Sequence, residues 1–369
     1  MVGIAFYACM ALIFLASVPI WRSIYSRHQQ NEPFLESRPQ LASPMGLIDL
    51  IVLLSIWLTS QILAVNIFSQ ISGVEIGGLE SVGGSQMMVL MLIAGITQTI
   101  AVVLGMAILV LRYKDSRVAG WYQDFVRIDL KLAFAGFLLA APVVLVLQAL
   151  LSLLVEYKHP AMDAMVEDAN AFTVVAVWLA AVVAAPIGEE VVFRGWIQNW
   201  LQRLSFRPGA FASAIIGGRH NPSDSEWNQA IELVESVLES EEAEADSDGS
   251  IADTKAAQKD DSNPYAATVH TLSKETIALA GEVPYAETPV HDPFVNWTAI
   301  VVTSLLFALM HLGQGLAPIP LFGFSLLLGY LYQRTGSLLP CIGLHMLNNG
   351  YSVFWLTMQI LTGETGDLP

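Results

Sequence analysis

Eight runs of mostly apolar residues dominate the chain and limit what it can fold into. They are Val2–Trp21, Met45–Ile71, Met87–Leu111, Leu132–Val155, Phe172–Leu204, Trp297–Leu312, Pro318–Tyr332 and Leu338–Leu361. About 20 such residues are needed to cross the hydrocarbon core of a bilayer as a helix. Only helices and closed barrels satisfy their backbone groups there, and runs of this length are helices. The sixth and seventh runs are short, which tilting or an interior position in a bundle accommodates. Composition agrees. Charged residues make up 14% of the chain, against about 25% in an ordinary soluble domain, and mean hydropathy is +0.55. The expected fold class is all-α, a polytopic membrane helix bundle of about eight transmembrane helices with a long acidic cytoplasmic insert. The first run has no basic flank or clear small-x-small site, so it reads as a span rather than a cleaved signal. Cys9 and Cys341 both lie in apolar runs and form no disulfide framework or zinc-finger spacing.

The net charge of -16 is concentrated in one place. Pro222–Asp292 holds 17 Asp and Glu and 3 Lys, leaving 16 acidic and 14 basic residues elsewhere. A field of that sign repels phosphates and excludes nucleic-acid binding. The insert, about 205–293, is rich in Glu, Asp, Ser and Ala and lacks the apolar residues needed to order itself. Within it, Trp227, Ile231, Val234 and Leu238 recur at helical spacing behind Ser223-Asp224-Ser225. The simpler reading is a short solvated helix; the other is a docking segment for a cytoplasmic partner. Lys and Arg set the orientation. Arg22, Arg27 and Arg38 follow the first run, and Arg112, Lys114, Arg117, Arg127 and Lys131 follow the third. Arg203, Arg207 and Arg219 follow the fifth, and Arg334 the seventh, whereas the alternate loops hold only Lys158. The N-terminus is expected outside and the insert in the cytoplasm.

Ionisable groups inside a bilayer are costly, so each marks a functional hypothesis. The fifth run contains Pro186-Ile187-Gly188-Glu189-Glu190-Val191-Val192-Phe193-Arg194. Glu190 and Arg194 are i and i+4 and share a helix face. Glu189 points about 100° away and has no cation on its own helix. One acid is therefore free for chemistry and the other held. Pro186 removes a backbone donor, and Gly188 loosens the same turn, which is expected to open carbonyls just before the acids. The sixth run places Phe307 one turn before His311, and the last places His345 one turn before Asn349. Alone, either histidine reads as a helix-bridging group. Together, a carboxylate, two imidazoles and an amide make a general base with its partners and an oxyanion donor. They equally make a zinc site of Glu and His. His345 is expected nearer the cytoplasmic end than His311, and side chains more than about 15 Å apart could not share a water.

In this order the three motifs resemble the CPBP intramembrane proteases, also called Abi or type II CAAX prenyl endopeptidase-like proteins. That family is marked by EExxxR, FxxxH and HxxxN on successive helices. The matches are Glu189-Glu190-x-x-x-Arg194, Phe307-x-x-x-His311 and His345-x-x-x-Asn349. The resemblance covers about 132–361, the protease-like core, which the insert interrupts; residues 1–131, with three helices, lie outside it. It implies a peptidase acting near a membrane on a protein or peptide substrate, with lipid around it. Glu189 would activate water, His311 would orient it, and His345 and Asn349 would stabilise the oxyanion. Glu190 and Arg194 would hold the helix, with Phe307 as structural support. Two chemistries fit: a metal-free glutamate hydrolase, which this reading favours, or zinc on Glu189, His311 and His345. Without HExxH the stronger zinc-peptidase signal is missing. A bacterial plasma membrane is the expected location, and a prenylated substrate is not carried over. The chain closes on Gly366-Asp367-Leu368-Pro369 and is not expected to be prenylated itself. Two rivals come from other classes. A transporter should show matching broken helices in two halves, but here the polar groups fall in one. A non-catalytic scaffold or bacteriocin-immunity protein would keep the motifs without cleavage.

Overall fold

The computed structural model describes residues 2–38, 44–77, 82–122, 125–155, 160–205 and 295–363. By backbone contacts the chain divides into Met1–Arg219 with Pro289–Pro369, and His220–Thr288. The second unit lies outside the described residues, as do the segment expected to be helical around Trp227–Leu238 and most of the acidic insert. The first unit, as described, is helical without a strand. Its helices are α1 (Val2–Gln29), α2 (Leu47–Ser72), α3 (Gly84–Tyr113), α4 (Val126–Ser152), α5 (Pro160–Glu167), α6 (Ala171–Arg203), α7 (Trp297–Leu309), α8 (Pro318–Thr335) and α9 (Leu339–Thr362).

Each of the eight apolar runs falls on a helix. α1, α2, α3, α4 and α6 are long and apolar enough to cross a membrane. The chain is an integral membrane protein. α7 has 13 residues, about 20 Å of helix against the roughly 30 Å hydrocarbon core. It is too short to cross alone, and His311, just past its end, is half-buried. α5 was not legible as an element: eight residues give too little periodicity to stand out from an acidic loop. It forms because Ala164 and Met165 bury against Met88, Val177, Val353 and Leu356.

Local chemistry sets the helix ends. Asp49 takes the Gly46 N–H at 2.8 Å and opens α2. Asn170 Oδ1 accepts from the N–H groups of Phe172 and Thr173 at 2.8 and 3.1 Å and opens α6. At the start of α3, Glu167 accepts from the Gly84 N–H at 2.8 Å, a carboxylate placed where the helix dipole favours it. The main core lies between α2, α3, α4, α6, α8 and α9, with Trp196 of α6 among its largest fully buried side chains. α4 and α9 pack on each other, and α3 runs along α6.

Candidate active site

α6 carries the acids and is not a plain α-helix. Its backbone is π-helical over Trp178–Ala184 and Val191–Gln198, on either side of an α-helical turn at Ala185–Glu190. Such turns recur at functional sites because the extra residue re-aims the side chains that follow. The first π turn has an identifiable partner. The Ala185 N–H donates to the Ala180 carbonyl, five residues back. In that register the Ala181 carbonyl would take its bond from residue 186, which is proline and has no N–H. Asn349 Nδ2 donates to the Ala181 carbonyl at 2.9 Å instead. The expectation that Pro186 leaves open carbonyls is thus corrected at Ala181: the amide of α9 fills the vacancy. One of the Asn349 N–H groups is engaged in this way.

Glu190 and Arg194 are both fully buried, and Arg194 Nη1 donates to Glu190 Oε1 at 3.2 Å. Arg194 Nη2 donates to Ser325 Oγ of α8 at 2.6 Å and to the Ser325 carbonyl at 3.3 Å. Its guanidinium also lies over the Phe307 ring, 4.9 Å from the centroid. Removing either charge would leave the other buried without its counterion. Glu189 lies on the open side, with a side chain 25% exposed. Although it has no cation on its own helix, α9 supplies a partner. His345 lies between the two acids, its Nδ1 at 2.8 Å from Glu190 Oε1 and its Nε2 at 3.8 Å from Glu189 Oε2. A carboxylate only accepts, so Nδ1–H donates to Glu190. A donor role for Nε2 then needs a second proton on the ring.

His311 is fixed differently. Its Nδ1 is 2.8 Å from the Phe307 carbonyl. That carbonyl can only accept, so Nδ1 carries the hydrogen and the neutral ring presents Nε2 as an acceptor. Phe307, fully buried, joins the elements. Its centroid is 4.9 Å from that of His311, 5.8 Å from that of His345 and 5.3 Å from that of Phe193 on α6. Two imidazoles resting on one benzyl ring are well within the ~15 Å that would separate them from a common water. The depth mismatch expected from helix ends is therefore absent. Phe324 of α8 closes the far side of His345 at 5.6 Å.

The structure thus brings Glu189, Glu190, Arg194, Phe307, His311, His345 and Asn349 to one region of α6, α7 and α9. Among the described residues no three His, Cys, Asp or Glu side chains are grouped to hold a metal ion. His345 engages Nδ1 with Glu190, and His311 engages Nδ1 with a backbone carbonyl, so each ring turns its Nε2 away from those partners. Three contributors were missed by sequence reasoning. Ser325 is one hydroxyl among many in apolar runs, and nothing in its spacing singles it out. Gln198, fully buried two turns after Glu190, donates to the Gly329 carbonyl at 2.8 Å and ties α6 to α8. Gln98 was visible as a polar residue in the third run but had no assigned partner.

A family model described as Rce1-like, type II CAAX prenyl endopeptidase Rce1-like, matches residues 171–227 and 287–351. The segments that carry the motifs are similar to this family. The matched segments contain Glu189, Glu190, Arg194, Phe307, His311, His345 and Asn349, and they exclude α1–α4 and α5. The match agrees with the family that the three motifs resemble, and that family is one of CAAX-type membrane proteases. No curated protein and no solved structure matches the chain.

Proposed function

We propose that the chain is an intramembrane endopeptidase that hydrolyses peptide bonds near the membrane without a metal. Glu189 takes a proton from a water, whose oxygen attacks the scissile carbonyl carbon. His311 Nε2 accepts the second hydrogen of that water and orients it. The C–N bond then breaks, and the proton held by Glu189 passes to the departing amine. The oxyanion accepts from Nε2–H of a doubly protonated His345 and from the remaining Asn349 N–H. Glu190, Arg194 and Ser325 hold the helix and fix the His345 ring. One observation carries the reading: of two adjacent acids, Glu190 is sealed into an ion pair while Glu189 stays open beside His345. The distribution of Lys and Arg supports an orientation with the N-terminus outside and the insert in the cytoplasm, and a bacterial plasma membrane is part of the same proposal.

Protein termini in cells test this without a prior guess at the substrate. Strains would carry wild type, Glu189→Gln or a deletion of the gene. New termini that require wild-type Glu189 support the reading and identify the substrate, prenylated or not. Termini unchanged between wild type and Glu189→Gln, with a phenotype only in the deletion, would sink it in favour of a scaffold or immunity protein.

A further inference from the structure

α3 lies outside the matched segments, yet it forms the wall behind the acids. It follows α6 closely because both helices present small residues where they meet. A Cβ on Gly95 would come 3.0 Å from Ala184 Cβ, and one on Gly105 would come 2.6 Å from the Trp196 ring. Between those contacts lies Gln98. A Cβ on Gly188 would fall 1.7 Å from Gln98 Nε2 and 2.5 Å from its Cδ. The amide therefore lies flat on the bare backbone of the residue just before Glu189. Its other end is held from α2: Gln61 Nε2 is 3.5 Å from Gln98 Oε1 and 3.2 Å from Ser60 Oγ.

The bland role for two amides in adjacent spans is interhelical glue. Glue between α2 and α3 needs no glycine on a third helix, whereas here the amide occupies space that any side chain at 188 would fill. Gly188 is thus a seat for Gln98, rather than the loosening of the turn expected from its sequence. We propose that Gln98, braced by Gln61, is a positioning residue for the candidate active site. It fixes the backbone from which Glu189 projects, so that this acid faces His345 while Glu190 faces Arg194. α2 and α3 then have a part in the chemistry rather than in anchoring alone. The inference rests on the reading of Glu189 as the base.

The test uses full-length protein in liposomes and a peptide spanning a cleavage site found by the termini experiment. Gln98→Ala is expected to lower kcat about tenfold with KM changed less than about twofold, because misplacing the base by a fraction of an ångström costs rate rather than binding. Gln98→Glu sets a second carboxylate near Glu189, alongside Glu190, Arg194 and His345. A like charge disfavours ionisation of the base, so the acid limb of the pH profile moves to higher pH by about half a unit or more. The limb reports how near residue 98 lies to Glu189, and the kcat loss at little-changed KM reports positioning. Gly188→Ala displaces the amide without removing it and should repeat the kcat loss. It also decides the matter if the Gln98 variants do not fold. Wild-type kcat in Gly188→Ala, or an unmoved acid limb in folded Gln98→Glu, would overturn the proposal. Glu189→Gln runs beside them: full cleavage there rejects Glu189 as the base, whatever Gln98 does.

Discussion

α1 and α6 have nearly the same mean hydropathy over their most apolar stretches, yet they sit in opposite surroundings. Only 6% of that stretch of α1 is buried, against 33% for α6. α1 presents Ile4, Tyr7, Leu12, Leu15 and Val18 outward and buries Val2, Ile13 and Ser17. α6 buries Glu190, Arg194, Gln198 and Trp196. Hydropathy finds what can cross a membrane. It does not say which crossing helix is the centre. Two other signals do. Ionisable groups are tolerated only where partners supply counterions, which requires neighbours on several sides. Small residues, such as Ala184 and Gly188, allow those neighbours to come close.

That contrast orders the expected effects of substitution. Arg194→Ala should be the most damaging to the fold, leaving Glu190 buried without its cation at a cost of about 3–5 kcal/mol. Loss of most monodisperse protein in detergent would show it; an Arg194→Ala protein as heat-resistant as wild type would mean the pair does not hold α6. Gly95→Leu comes next. It forces a side chain into the gap before Ala184 and should cost about 1–3 kcal/mol by overpacking. A thermal midpoint within a degree of wild type would place α3 farther from α6 than described. Leu15→Ala on α1, whose side chain is 68% exposed, should change stability by less than about 0.5 kcal/mol. A drop as large as that of Gly95→Leu would mean that α1 has a protein neighbour.

The smallest effect is at the loop that opens α6. Hydrogen bonds from the Ser85 side chain and then from Asn170 hold the Asp168 carboxyl below its usual range. A native value below the unfolded one adds stability above about pH 4, and that increment disappears as pH falls through the lower native value. Asp168→Asn should therefore lower the melting midpoint slightly at pH 6 and by less at pH 2.5. Equal differences at both would assign the effect to shape rather than charge.

Much of this arrangement was legible from residues alone, for reasons that also mark the limits. The spans follow from apolar length. The Glu190–Arg194 contact follows from i,i+4 spacing, which needs one helix and no neighbour. A cap at Asn170 is the kind of signal a single segment carries. What one helix cannot give is register between helices. That His345 stands between both acids, that Asn349 serves the carbonyl Pro186 leaves without a donor, and that Gln98 rests on Gly188 depend on how α3, α6 and α9 slide past one another. α5 was hidden because its helix depends on burying Ala164 and Met165 against residues from three other helices.

The most direct measurement pairs stability with turnover in purified Glu189→Gln, using the cleavage-site peptide. Glu189 is open and outside the Arg194 pair, so the variant should melt within about a degree of wild type. Cleavage per folded molecule should fall by about a thousandfold or more, as expected when a positioned general base is removed. A variant that cleaves at the wild-type rate would contradict Glu189 as the base. One that unfolds instead would show that Glu189, like Glu190, is there to hold the helix.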